Sequence, residues 1–136
     1  MIEVKNLYKS YGEKGVLSDI NLSVSHGQSV AVVGKSGAGK SVLLRCLIGL
    51  VKPDEGTIYI DNKLINTMNF QQLQSIRSKI GMVFQFGALF DSMTVGENIS
   101  LALQKLTKLN DDEIQDRLHN SLNEVGMEGT EDLMPA

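Results

Sequence analysis

Two kinds of apolar run punctuate the chain. Ile20-Asn21-Leu22-Ser23-Val24-Ser25 alternates apolar and polar residues, and Thr57-Ile58-Tyr59-Ile60-Asp61 does so more loosely. A period of two predicts antiparallel strands with one wet face. Val30-Ala31-Val32-Val33 is apolar without alternation, as is Ile80-Gly81-Met82-Val83-Phe84; such runs predict strands covered on both faces in a parallel sheet. Helical patterns lie among them. Residues 40–50 are apolar nearly all round, which predicts a buried helix, with Pro53 beyond its end. Residues 69–78 predict a short polar helix with Leu73 and Ile76 facing inward, and residues 94–103 set Val95, Ile99, Ala102 and Leu103 on one face. Asn110 is placed to cap a last helix, with Glu113 at the reciprocal capping-box position. Ile114, Leu118, Leu122 and Val125 form its stripe, and Gly126 ends it. The mixed strand types predict an α/β fold in which an antiparallel sheet packs on an α/β core. Leu133-Met134-Pro135-Ala136 follows with no terminating signal of its own.

Composition narrows the function more than the fold. At 136 residues and 42% hydrophobic, the chain has the makings of one ordinary domain with a core. A net charge of −3 disfavours nucleic acid and anionic membrane surfaces as sequence-independent partners. The single cysteine, Cys46, sits in the helical stretch after residue 40, reads as core and cannot staple a fold. It points to a reducing compartment. No apolar stretch is long enough to span a bilayer, and the start, MIEVKNLYKSYG, lacks the apolar segment of a signal peptide. A cytoplasmic location is the default expectation.

The candidate chemistry lies between the run at 30–33 and the helix that follows. Gly34-Lys35-Ser36-Gly37-Ala38-Gly39-Lys40-Ser41 matches G-x-x-x-x-G-K-[ST] in full, with an apolar run before it and a helical one after. Glycines let successive N–H groups converge on an anion, and the helix N-terminus adds partial positive charge. Lys40 supplies a full charge for the β- and γ-phosphates, and the Ser41 hydroxyl is suited to ligate Mg²⁺. The ligand class is therefore a nucleotide with its magnesium ion.

Further stretches carry a resemblance to one family. The Ser36-Gly37 pair inside the loop, Asn6-Leu7-Tyr8-Lys9-Ser10-Tyr11-Gly12, and Val16-Leu17-Ser18-Asp19-Ile20-Asn21-Leu22 resemble an ATP-binding cassette (ABC) nucleotide-binding domain. The resemblance implies a P-loop NTPase (RecA-like) core with an antiparallel β-subdomain and the start of a helical subdomain. Residues 1–85 would hold the sheet and P-loop core, and residues 86–136 the Q-loop and the first helical part. It implies ATP as the ligand, bound by Gly34, Ser36, Gly37, Ala38, Gly39, Lys40, Ser41 and Val42. Tyr11 stands where the family stacks an aromatic ring on adenine, a contact that grips any purine face. Ile80-Gly81-Met82-Val83-Phe84-Gln85 resembles the strand entering the Q-loop, so that Gln85 would approach Mg²⁺ and the γ-phosphate. Many members have threonine where Val42 stands; valine loses a hydroxyl contact to the α-phosphate and keeps its backbone N–H. The segment 86–99, FGALFDSMTVGENI, is similar to ATPase subunits of lipid-asymmetry (Mla-type) and toluene-tolerance systems, which move phospholipid. The implied partners are membrane permease subunits at the Q-loop region and a second nucleotide-binding domain. The implied location is the cytoplasmic face of the inner membrane.

A hydrolysing member also needs an apolar strand ending in Asp-Glu, a Leu-Ser-Gly-Gly signature and a switch histidine, and the sequence holds none of them. The Asp helps hold Mg²⁺ and the Glu activates water. Asp61 imitates the start of such a strand, but Asn62 follows, and the position matches the family's antiparallel turn instead. His26 and His119 read as isolated surface residues. The chain is thus expected to be the N-terminal part of one cassette, ending short of the signature, with the run at 30–33 unpaired and the piece poorly stable alone. The competing expectations are a nucleotide-binding fragment without catalysis and a soluble ABC protein acting elsewhere than at a membrane. A GTPase is disfavoured because Asp61-Asn62-Lys63 is in the wrong order for a guanine reader.

Overall fold

A computed structural model describes residues 1–84 and 87–135. Its contacts divide the chain into two units, Met1–Gly81 and Met82–Ala136.

The first unit is built on a four-stranded antiparallel sheet in the order β2-β1-β3-β4, with β1 Ile2–Tyr11, β2 Lys14–Val24, β3 Glu55–Ile60 and β4 Lys63–Leu64. Both periodic runs therefore form strands, with Ile58 and Ile60 buried and the intervening residues more open. β1 carries no simple alternation, because a bulge interrupts it. Val4 pairs with Leu22 and Leu7 with Ile20, so three steps along β1 match two along β2. Asn6 takes a left-handed conformation there (φ 46°); its N–H donates to Asn21 Oδ1 at 2.9 Å and its Nδ2 to Asp19 Oδ1 at 2.8 Å. On the other side Gly56 (φ 87°) faces the bulge, where any Cβ would run into the Asn6 carbonyl oxygen. The bulge turns Val4 and Leu7 to the same side, and both are buried.

Ile60 pairs with Lys63 across a two-residue turn, Asp61-Asn62, in which both residues have positive φ. That is the primed turn matching strand twist. Asp61 belongs to this hairpin and accepts a 2.6 Å hydrogen bond from the Met1 ammonium. His26 Nε2 lies 3.1 Å from the same amine, so this exposed histidine has company rather than standing isolated.

Helix α1, Lys40–Leu47, packs Leu43, Cys46 and Leu47 into one apolar cluster with Val4, Leu7, Leu17, Ile58, Ile60 and Ile65. It is shorter than the 40–50 expectation and buried on one side alone, since Leu44 is exposed. Helix α2, Phe70–Arg77, rests Leu73 and Ile76 on the same cluster, and Arg77 donates to the carbonyls of Ile48 (2.9 Å) and Gly49 (2.7 Å) behind α1. Burial pushes the Cys46 thiol up from its ordinary range, which suits a packing residue rather than a thiolate.

The strand expectation fails for both unalternating runs, while among the described residues the run at 30–33 is unpaired as expected. Residues 30–33 and 80–84 form no strand, and Val33 and Val83 are 91% and 94% exposed. An unalternating apolar run forms a strand when neighbours supply both its ladder bonds and its two covers. Among the described residues no strand pairs with either run.

The second unit holds α3, Val95–Leu106, and α4, Asp111–Glu124, in mutual contact. Ile114, Leu118 and Leu122 are buried as the stripe predicts, whereas Val125 falls at the helix end and is 67% exposed. Asn98 fastens the entry to α3: its Oδ1 accepts from Phe90 N–H, and its Nδ2 donates to the carbonyls of Phe90, Met93 and Thr94. Among the described residues no helix is long and apolar enough to cross a membrane.

Candidate functional site

Four helices begin in two different ways. Asn69, Thr94 and Asn110 each accept from the N–H three residues on, while Gln72, Glu97 and Glu113 reach back to the cap N–H. These boxes satisfy donors that a helix start otherwise leaves without partners. Helix α1 has no such device. Its cap is Gly39, there is no side-chain cap bond, and its first turn holds no acidic residue. Its first N–H groups therefore point out of the helix with no side chain accepting from them, at the positive end of the dipole.

The preceding loop is shaped by the same glycine-rich stretch. Gly37 and Gly39 take φ of 78° and 92°, a region that favours residues without a Cβ. At Gly39 a Cβ would also lie 2.8 Å from the Val16 carbonyl oxygen and 3.1 Å from the Leu17 side chain. This glycine lets the loop end dock directly on β2. Lys40 folds back over the loop and donates from Nζ to the carbonyls of Gly34 (2.7 Å) and Lys35 (2.8 Å). Ala38 N–H closes the curl on Lys35 O at 3.2 Å. The result is an ammonium held across a ring of backbone with a second cation, Lys35, on its rim.

The other expected residues fall around this loop to different degrees. Ser36 is exposed in the loop turn, and Ser41 presents an exposed hydroxyl on the first turn of α1, as one Mg²⁺ ligand requires. Val42 packs against the apolar cluster, which accounts for an apolar residue where a hydroxyl would have been expected. Tyr11 ends β1, pairs with Lys14 and is 52% exposed. It lies on the same hairpin whose Val16 touches Gly39. Gln85 lies outside the described residues. Among the described residues no group of three or more His, Cys, Asp or Glu side chains converges as a metal site.

Three residues beside the site carry no signal in the sequence. Val16 contributes a backbone carbonyl, so its side-chain identity could not announce it. Lys9 and Asp54 meet at 2.7 Å from segments 45 positions apart, beside the Tyr11 ring. A cavity of about 180 Å³ lined by Cys46, Ile58, Ile65, Met68 and Leu73, among others, lies behind α1 and involves none of the loop residues.

Comparison with known proteins bears on the family and the fold. The model of the family described as ABC transporter matches residues 17–135. The chain is 37% identical over 137 residues to protein trigalactosyldiacylglycerol 3, chloroplastic, from Arabidopsis thaliana, covering 100% of this chain and 39% of that one. It is 40% identical over 134 residues to the probable ribonucleotide transport ATP-binding protein mkl of Mycobacterium leprae, covering 98% and 39%. Among solved structures, a dimeric ATP-binding cassette in a post-hydrolysis state bound to ADP and Pi superposes with a TM-score of 0.89 at 34% identity. The match covers 99% of this chain and 62% of that one. The chain thus spans about two fifths of the length of these curated relatives.

Proposed function

Because the chain belongs to the ABC transporter family, we propose that it is the nucleotide-holding part of a transporter's ATP-binding subunit, taking ATP with Mg²⁺. The observation that carries this is the start of α1: among the described residues it is the one α-helix without a capping box, it follows the glycine loop, and Lys40 folds over that loop. Backbone N–H groups of residue 37 and residues 39–42 would donate to the phosphate oxygens, and the Lys40 ammonium would exchange its two carbonyl acceptors for the β- and γ-phosphates. Ser41 would offer a hydroxyl to Mg²⁺, which when bound would offset phosphate charge. Tyr11 offers its ring to the adenine, and Gln85 is assigned to the γ-phosphate side by its place in the sequence.

Coupling to transport needs more than these residues. Activating the attacking water requires a carboxylate poised beside the γ-phosphate, and the sequence has no apolar strand ending in Asp-Glu. We assign hydrolysis to the whole subunit, and binding without turnover to these 136 residues. The cargo we propose is a phospholipid. The 86–99 segment supports it; a relative whose name refers to a galactolipid supports a lipid in general, and another relative's name refers to ribonucleotide transport. The partners are membrane permease subunits and a second cassette, at the cytoplasmic face of the inner membrane. Calorimetric titration with Mg-ATP, together with isotopic ATP turnover, tests the reading: heat of binding with no phosphate release is expected. Absence of binding would overturn the site.

A further inference from the structure

The hairpin end that carries Tyr11 is tied down by one residue from a distant segment. Asp54 contacts three successive positions of β1. Its N–H donates to the Tyr8 carbonyl at 2.9 Å, its Oδ1 accepts from Lys9 Nζ at 2.7 Å, and its Oδ2 accepts from the Ser10 N–H at 2.7 Å. The Lys9 ammonium in turn sits over the Tyr11 ring, 5.4 Å from its centroid. Its side chain is 14% exposed, well below that of a freely solvated surface lysine. Tyr11 itself stays half in solvent.

We propose that Lys9 and Asp54 are positioning residues for base recognition: they fix the plane of the Tyr11 ring, with the ammonium against the ring and the rest of it presented to a purine. This rests on the reading of Tyr11 as the base platform and deepens it. A tyrosine at the last position of a strand, next to a turn, has two torsions to lose when it stacks. A cation resting on the ring restricts them before the ligand arrives, and the carboxylate keeps that cation in place. The Asp54 carboxyl is held below the usual carboxylate range, first by Lys9 and then by the Ser10 N–H, so the brace is charged throughout the neutral range. Among the described residues neither side chain hydrogen-bonds to the phosphate loop, so their effect should be confined to the base.

The test compares Mg-ATP with magnesium tripolyphosphate, which has the phosphates and no base, by calorimetry on the chain and four variants. Tyr11→Ala is expected to weaken ATP about tenfold and leave tripolyphosphate unchanged. Lys9→Met and Asp54→Asn should each weaken ATP about threefold, again sparing tripolyphosphate. Lys9→Arg, which keeps both the carboxylate partner and the stacking cation, should restore wild-type affinity. If Tyr11→Ala leaves ATP binding intact, the platform reading fails and the brace with it. If Tyr11→Ala weakens ATP but Lys9→Met does not, the brace alone is wrong. Equal losses for both ligands in Lys9→Met would make Lys9 a general support of the fold and overturn the proposal. Normal tripolyphosphate binding certifies that a variant's loop is folded, and if Asp54→Asn unfolds, the two Lys9 variants decide.

Discussion

The N-terminal ends of α4 and α1 solve the same problem in opposite ways. At α4, Asn110 and Glu113 exchange hydrogen bonds of 2.9 and 2.8 Å with each other's backbone, and three acidic residues fill the first turn. Every local choice there serves the helix itself. At α1 the cap is a glycine at φ 92°, no acid follows, and a lysine comes first. Placing a cation at the positive end of the dipole works against the isolated helix. It makes sense when the missing negative charge comes from outside. On the function proposed above, the difference separates a helix start built for stability from one that would receive an anion.

The comparison breaks most visibly at Lys40. Removing its ammonium should lower Mg-ATP affinity roughly 100-fold, as loss of charged hydrogen bonds does. Lys40→Ala should leave the thermal midpoint close to wild type; unchanged affinity in calorimetry would refute the site assignment. Gly39→Ala comes next. It combines positive φ with a Cβ 2.8 Å from Val16 O, and should cost roughly 1–3 kcal/mol in a urea melt. Gly126→Ala at the end of α4 has positive φ but open space, and should cost about 1 kcal/mol. Equal losses at the two glycines would mean that docking on Val16 contributes nothing. Asn110→Ala should remove about 1 kcal/mol of stability with no change in ATP affinity. The smallest effect is a pH dependence. Asp54 titrates lower folded than unfolded, so its contribution is full above the ordinary aspartate value of about 3.9 and fades as pH falls below it toward the folded value. Melts between pH 6 and pH 3 should show this loss in the parent chain and its absence in Asp54→Asn.

Local signals were legible in the sequence and tertiary ones were not. The capping box at Asn110, the alternation at 20–25 and the glycine loop each rest on a few neighbouring residues, and each element formed where its pattern lies. The runs at 30–33 and 80–84 show the limit. Their apolar character is real, but a buried strand is a property of its neighbours as well as of itself. β1 escaped the periodic reading because its bulge shifts the phase at Asn6. Contacts such as Gly39 on Val16, or Asp54 on Lys9, join positions far apart through backbone atoms or common surface residues. No composition or spacing marks them in advance.

The bulge in β1 has a consequence for inheritance. It adds a tenth residue to the strand, and Gly56 is what makes room for the Lys5 and Asn6 carbonyls that the bulge turns toward it. A descendant that loses position 6 would keep Val4 and Leu7 on the same side and be released from the need for glycine across the sheet. One that retains the extra residue must retain the glycine. Strand length at one site and residue identity at another, fifty positions away, are therefore bound to change together.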